Sequence, residues 1–151
     1  MPQFARRSLF PAAASVVLVG AGAAPAGYYA DQKVVYHNDG RPPDNTAYFG
    51  MLLANLRNHL AAVGPSHVML RIVNLGPGVD LLIAAQQDKP MAHAIDALRA
   101  DGAVFLVCNN TLNARNLDWR TLYGVQEGDV VPSGVAELGR LQAMGFAYIH
   151  P

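Results

Sequence analysis

The strongest nucleophile in the sequence is Cys108, the single cysteine among 151 residues. It closes the apolar run Ala103-Val104-Phe105-Leu106-Val107-Cys108 and is followed at once by Asn109-Asn110-Thr111. A thiolate is the reactive form of cysteine, and its pKa falls near a cation or a helix N-terminus. Thr111 can cap a short helix through Leu112, Asn113, Ala114 and Arg115, which sets the thiol just ahead of a positive helix end. Arg115 lies one turn beyond Thr111 and brings a cation toward the same point. The side-chain amides of Asn109 and Asn110 are donors for an anionic sulfur. Three polar residues directly after a buried strand are costly to bury unless the backbone is turning at a site. The competing reading keeps Cys108 as a small core hydrophobe at a strand end, since cysteine is among the most buried residues.

Two further segments have the same character, a polar or glycine-rich stretch following an apolar run. They are His37-Asn38-Asp39-Gly40 and Asn74-Leu75-Gly76-Pro77-Gly78. His37 and Asn38 become candidate binding residues, with His37 beside Asp39 as a possible base or else a plain turn residue. Gly76-Pro77-Gly78 is not a dinucleotide fingerprint, because Pro77 removes a backbone donor from any phosphate cradle. It is a tight strand-to-helix turn whose Gly76 and Gly78 can also line a pocket. The five histidines (His37, His59, His67, His93 and His150) show no metal-ligand spacing, and carboxylates do not cluster beside them in sequence. No metal site is expected on that basis. His59 lies on an amphipathic helix between Leu56 and Leu60 and is expected at the boundary of that helix's apolar face or in an oligomer contact. There is no G-x-S-x-G elbow, Ser133 reads as a helix cap, and no cofactor is expected.

The elements that must hold these segments alternate between two periods. Lys33–His37 is β-rich and ends at Asn38-Asp39-Gly40 and Pro42-Pro43. Asp44, Asn45 or Thr46 caps a helix with Phe49, Leu52, Leu53, Leu56, Leu60 and Val63 at helical spacing, stopped by Gly64-Pro65. His67–Val73 is a second strand, followed by a helix through Val79, Leu82, Ile83 and Gln86 and another over Met91–Ala100. Ala103–Cys108 suits a strand buried on both faces, as in a parallel sheet under helices. Val130-Val131 is a brief strand, Ser133 caps a helix through Leu138, Leu141 and Met144, and Phe146–Ile149 is the last strand. This order predicts an α/β doubly wound sandwich of about five strands. In such sheets ligands bind at the carboxyl ends of the strands, where all three polar segments fall.

Composition bounds the rest. The length suits one domain. At 52% apolar and 15% charged the chain is globular rather than disordered. Eleven basic residues balance eleven acidic ones, so the basic surplus of a nucleic-acid binder is missing. Arg6-Arg7 precedes an apolar run from Leu9 to Ala24, with small residues at Ala24-Pro25-Ala26. That is the plan of a secretory signal peptide over residues 1–26, loosely of the twin-arginine type, ahead of a domain over residues 27–151. The run is too short for a confident membrane span, which needs about 20 apolar residues. The expectation is an exported, periplasmic protein with no membrane anchor after cleavage.

Phe105-Leu106-Val107-Cys108-Asn109-Asn110-Thr111-Leu112 resembles the cysteine segment of the DsrE/DsrF-like proteins. The strand Lys33–His37, the loop Gly76-Pro77-Gly78-Val79, the stretch Val131–Leu138 and the closing Gly145-Phe146-Ala147-Tyr148-Ile149 extend the resemblance over residues 32–151, toward an exported branch of the family. It implies a flavodoxin-like three-layer fold with a mostly parallel sheet, and a homotrimer or homohexamer. In relatives, the cysteine matching Cys108 accepts a sulfane sulfur as a persulfide and passes it to a partner protein. Those relatives are cytoplasmic, and the export signal and the Asn-Asn-Thr tail here depart from them. Two functions are therefore expected as alternatives. One is a sulfur carrier with a donor or acceptor protein as partner. The other is a non-catalytic oligomeric binding module with a pocket at the strand ends.

Overall fold

The computed structural model describes residues 27–151; the expected signal peptide lies outside the described residues. Five strands form one parallel sheet: β1 (Gln32–Asn38), β2 (Val68–Asn74), β3 (Val104–Cys108), β4 (Val130–Val131) and β5 (Ala147–Ile149). Their order across the sheet is β4-β3-β2-β1-β5. The connecting helices are α1 (Asn45–Val63), α2 (Asp80–Ala84), α3 (Lys89–Ala100), α4 (Asn109–Arg115) and α5 (Gly134–Ala143). The α/β architecture and strand number match the expectation. Among the described residues no helix is long and apolar enough to cross a membrane.

Side-chain alternation along the strands sorts the core into two layers. Val34, Tyr36, Leu70, Ile72, Phe105 and Val107 pack with Phe49, Leu52 and Leu56 of α1, Leu82 of α2, and Ile95 and Leu98 of α3. Val35, Val73 and Leu106 face the other way, against Leu138 and Leu141 of α5 and Phe146. Strands covered on both faces can be apolar throughout, which is why β3 shows no polar alternation. Each such side chain contributes on the order of 1.5–3 kcal/mol by leaving water.

The helix starts follow from local chemistry. Asp44 Oδ1 accepts from the Ala47 N–H at 3.0 Å, Asp88 Oδ1 from Met91 at 3.0 Å, and Ser133 Oγ from Ala136 at 3.4 Å. Each side chain satisfies a backbone donor that the first helical turn leaves open. Two expectations need correction. The helix expected through Val79–Gln86 is a 3-10 turn at Gly76–Val79 leading into the short α2, as Pro77 suits a first turn better than a long helix. Thr111 is not the cap of α4, which begins at Asn109 directly after Cys108.

The connections matter for function. Leaving its carboxyl end, β3 turns into α4, whose Leu112 joins the larger core layer. Leaving its own, β4 turns into α5 on the opposite face. Two adjacent strands whose exits diverge to opposite faces open a crevice between them. Cys108 ends β3 at that crevice, opposite Val131 in register.

Candidate functional site

Cys108 is a free cysteine, only 5% exposed. Its place on β3 points it to the same face as Leu106, toward the start of α5. Burial alone pushes the thiol pKa up. The Gly134 N–H, the Thr111 hydroxyl, and the Thr111 and Asn110 N–H groups around the sulfur favour the thiolate and outweigh burial, and the thiol ends below its ordinary value. Two helix starts thus aim backbone donors at one sulfur, α4 through Asn110 and Thr111 and α5 through Gly134. Helix N-termini of this kind favour an anion.

Thr111 links the sulfur to the next loop. Its Oγ1 accepts the Gly76 N–H at 2.8 Å, which leaves the hydroxyl hydrogen free to turn toward the sulfur and favour its thiolate form. Gly76, in turn, is held by Arg115, whose Nη1 donates to the Gly76 carbonyl at 3.2 Å. Arg115 Nη2 donates to Asp80 Oδ1 at 2.6 Å. The guanidinium is therefore committed to Asp80 and the 76–80 turn, and it steadies the loop instead of bringing its charge to the thiol. Asn109 is half-buried and Asn110 exposed. The donors this pair offers the sulfur include the backbone of Asn110, where the sequence suggested their side-chain amides.

Sequence reasoning missed Gly134. A Cβ there would stand 2.9 Å from Leu75 Cδ2 and 3.1 Å from Cys108 Cβ. Only a residue without a side chain lets the first turn of α5 come close enough for its N–H to reach the sulfur. The run Pro132-Ser133-Gly134 carried the signal, since Ser133 marks a helix start and a glycine just inside one needs a packing reason.

Asn38 and Gly78 belong to the scaffold beneath the site. Asn38 is fully buried, and its Nδ2 donates to Asn74 Oδ1 at 2.8 Å and to the Gly78 carbonyl at 2.9 Å. Asn74, equally buried, donates to the Leu106 carbonyl at 2.9 Å. These two amides stitch β1, β2, β3 and the 76–79 turn together. A side chain at Gly78 would overlap the Asn38 carbonyl, so glycine there permits the turn to lie on β1.

His37 stands apart from the thiol, two strands away along the same carboxyl edge of the sheet. Its Nδ1 lies 2.8 Å from Tyr148 Oη, and its Nε2 is buried without a partner. Its ring stacks on His150 with centroids 4.9 Å apart. His150 Nε2 meets Asp39 Oδ1 at 2.9 Å. Two of the five histidines that look scattered along the chain are thus brought together here by folding, and the Asp39 carboxylate joins them. His59 is half-buried on α1, at the boundary of its apolar face as expected, and bonds within the chain: Nδ1 to Tyr36 Oη at 3.0 Å and Nε2 to Gln32 Oε1 at 2.8 Å. A cleft of about 560 Å³ runs between α1 and α3, past Leu53, Met91 and Leu98, and none of the sequence-predicted site residues lines it.

Comparison with known proteins agrees with this architecture. The profile of the DsrE/DsrF-like family matches residues 32–151. No curated protein matches. Among solved structures, the chain is similar to MTH1491, a protein of unknown function from Methanobacterium thermoautotrophicum. The two are 34% identical with a TM-score of 0.66, over 80% of this chain and 100% of that one. A sheet of five parallel strands between helices, a cysteine at the exit of its third strand and a family match spanning the whole sheet lead to one assignment: the chain belongs to the DsrE/DsrF-like family.

Proposed function

We propose that the protein is a sulfur carrier, in which Cys108 accepts a sulfane sulfur, holds it as a persulfide and yields it to a partner thiol. The observation that supports this reading is the convergence of donors from Asn110, Thr111 and Gly134 on one sulfur in the crevice between α4 and α5. A lowered thiol pKa raises the thiolate fraction at neutral pH and also makes the same sulfur a better leaving group.

The chemistry needs no outside oxidant. The Cys108 thiolate attacks the end sulfur of a polysulfide, a new S–S bond forms at Sγ, and the bond to the next sulfur of the donor breaks. The departing polysulfide is one sulfur shorter and carries away the electron pair. Discharge follows the same pattern. An acceptor thiolate attacks the outer sulfur, and Cys108 leaves as a thiolate facing the donors that favour it. A site this closed suits a slender linear donor such as inorganic polysulfide. The basic pair and apolar run near the amino terminus support an exported, periplasmic carrier, and the family resemblance supports a homotrimer or homohexamer.

The burial of Cys108 favours a second reading, a non-catalytic oligomeric binding module with the thiol merely packed. Intact-mass measurement of the reduced protein before and after polysulfide separates them. The carrier gains one or more sulfur atoms that dithiothreitol removes, and Cys108→Ala gains none. An unchanged mass, in a folded protein whose thiol also resists alkylation, overturns the carrier. Sedimentation as a monomer at working concentration overturns the oligomer.

A further inference from the structure

We propose that His37, Asp39 and His150 form a binding site for a divalent transition ion of zinc's class, with three protein ligands and an open fourth position. The inference stands independently of the sulfur chemistry and concerns a different set of side chains.

The fold assembles the group across two strands. His37 is the penultimate residue of β1, and Asp39 follows that strand. β5 runs beside β1 in parallel, with Tyr36 opposite Ile149, so His150 emerges next to His37. One ligand atom from each of the three residues lies within 4.8 Å of the others. Ligands at about 2.0–2.1 Å from a tetrahedral zinc stand about 3.3 Å apart, so a modest closing of these side chains suffices. His150 and Asp39, already 2.9 Å apart, would open slightly to admit the ion between them.

Two details point to a cation rather than to an ordinary polar cluster. The Nε2 atom of His37 is buried and has no partner, an orphaned position that a metal bond would satisfy. Its other ring nitrogen is engaged by Tyr148 Oη at 2.8 Å. A hydrogen bond at one nitrogen fixes the ring and leaves the lone pair of the other free, which is how metal-ligating histidines are usually held. Two imidazoles and one carboxylate suit zinc or its neighbours, whereas magnesium and calcium prefer oxygen alone and copper(I) prefers sulfur. His150 is exposed, so an ion has a route in.

Cobalt(II) titration of the full chain in a non-chelating buffer tests the site, because its visible absorption reports coordination directly. The expected result is one ion per chain, displaced by zinc, with a spectrum that Cys108→Ala leaves unchanged. His150→Ala, at an exposed position where circular dichroism can verify the fold, should weaken binding more than tenfold, as should Asp39→Asn. Tyr148→Phe should weaken it by about tenfold through its grip on His37. Absence of saturable binding overturns the proposal. So does binding that survives His150→Ala, or that vanishes in Cys108→Ala.

Discussion

Cys108 and the His37–Asp39–His150 group lie at the same edge of the sheet and face the same side of it, yet the chain surrounds them by different means. Around the thiol, the donors are chiefly backbone N–H groups fixed by the starts of α4 and α5. Around His37, the polar atoms all belong to side chains drawn from β1, β5 and the residues after them. The first arrangement is closed, rigid and suited to an anion. The second is half open and rich in lone pairs, so it suits a cation. One sheet edge thereby presents two chemistries about 10 Å apart, the width of two strand spacings. Backbone donors persist through most substitutions, whereas a cluster of side chains is lost with any one of its members.

That contrast can be broken from below or sharpened from within. The largest effect is expected from Asn38→Leu, which removes the amide bridging β1, β2 and the 76–79 turn. Stranding the buried oxygens of Asn74 and Gly78 should cost about 3 kcal/mol, seen as a lower urea midpoint with unchanged slope. It should loosen both clusters together. Gly134→Ala acts on the thiol alone. Its new Cβ crowds Leu75 and Cys108 and should cost about 1–3 kcal/mol. The pH midpoint of thiol alkylation should also rise as the Gly134 N–H retreats, with cobalt binding unaltered.

The smallest effect is a pH dependence. Burial raises the Cys108 pKa, the surrounding N–H and hydroxyl donors lower it by more, and the net shift is downward. A thiol whose folded pKa lies below its unfolded value of about 8.5 stabilises the fold above that value. The contribution fades as pH falls through the lower, folded pKa. Urea titrations of the wild type and Cys108→Ala should therefore diverge as pH rises across that window, the wild type gaining. Parallel curves would mean the donors do not favour the thiolate.

Much of this was legible in the sequence, for reasons visible in particular residues. The apolar periods of Phe49 to Leu60 and of Ala103 to Cys108 gave a helix and a doubly buried strand at the right places, and Asp44 and Ser133 marked true helix starts. Cys108 and Thr111 were legible as neighbours because they are four residues apart or fewer. What could not be read were contacts set by strand order. Nothing in the spacing of His37 and His150 says that β5 returns beside β1. Arg115 was legible as a nearby cation, but not its capture by Asp80, 35 residues earlier. Gly134 approaches Cys108 only because α5 crosses the sheet on the opposite face from α4.

The outer strands of the sheet carry a last consequence. β4 has two residues and β5 three, while the inner strands have five to seven. An edge strand is where another chain adds by backbone pairing, and a very short one offers little template for it. Pro132 closes one edge directly after β4 and Pro151 stands near the end of the other, each without an N–H to give. The two sheet edges thus offer further copies little backbone for extending the sheet into a continuous ribbon.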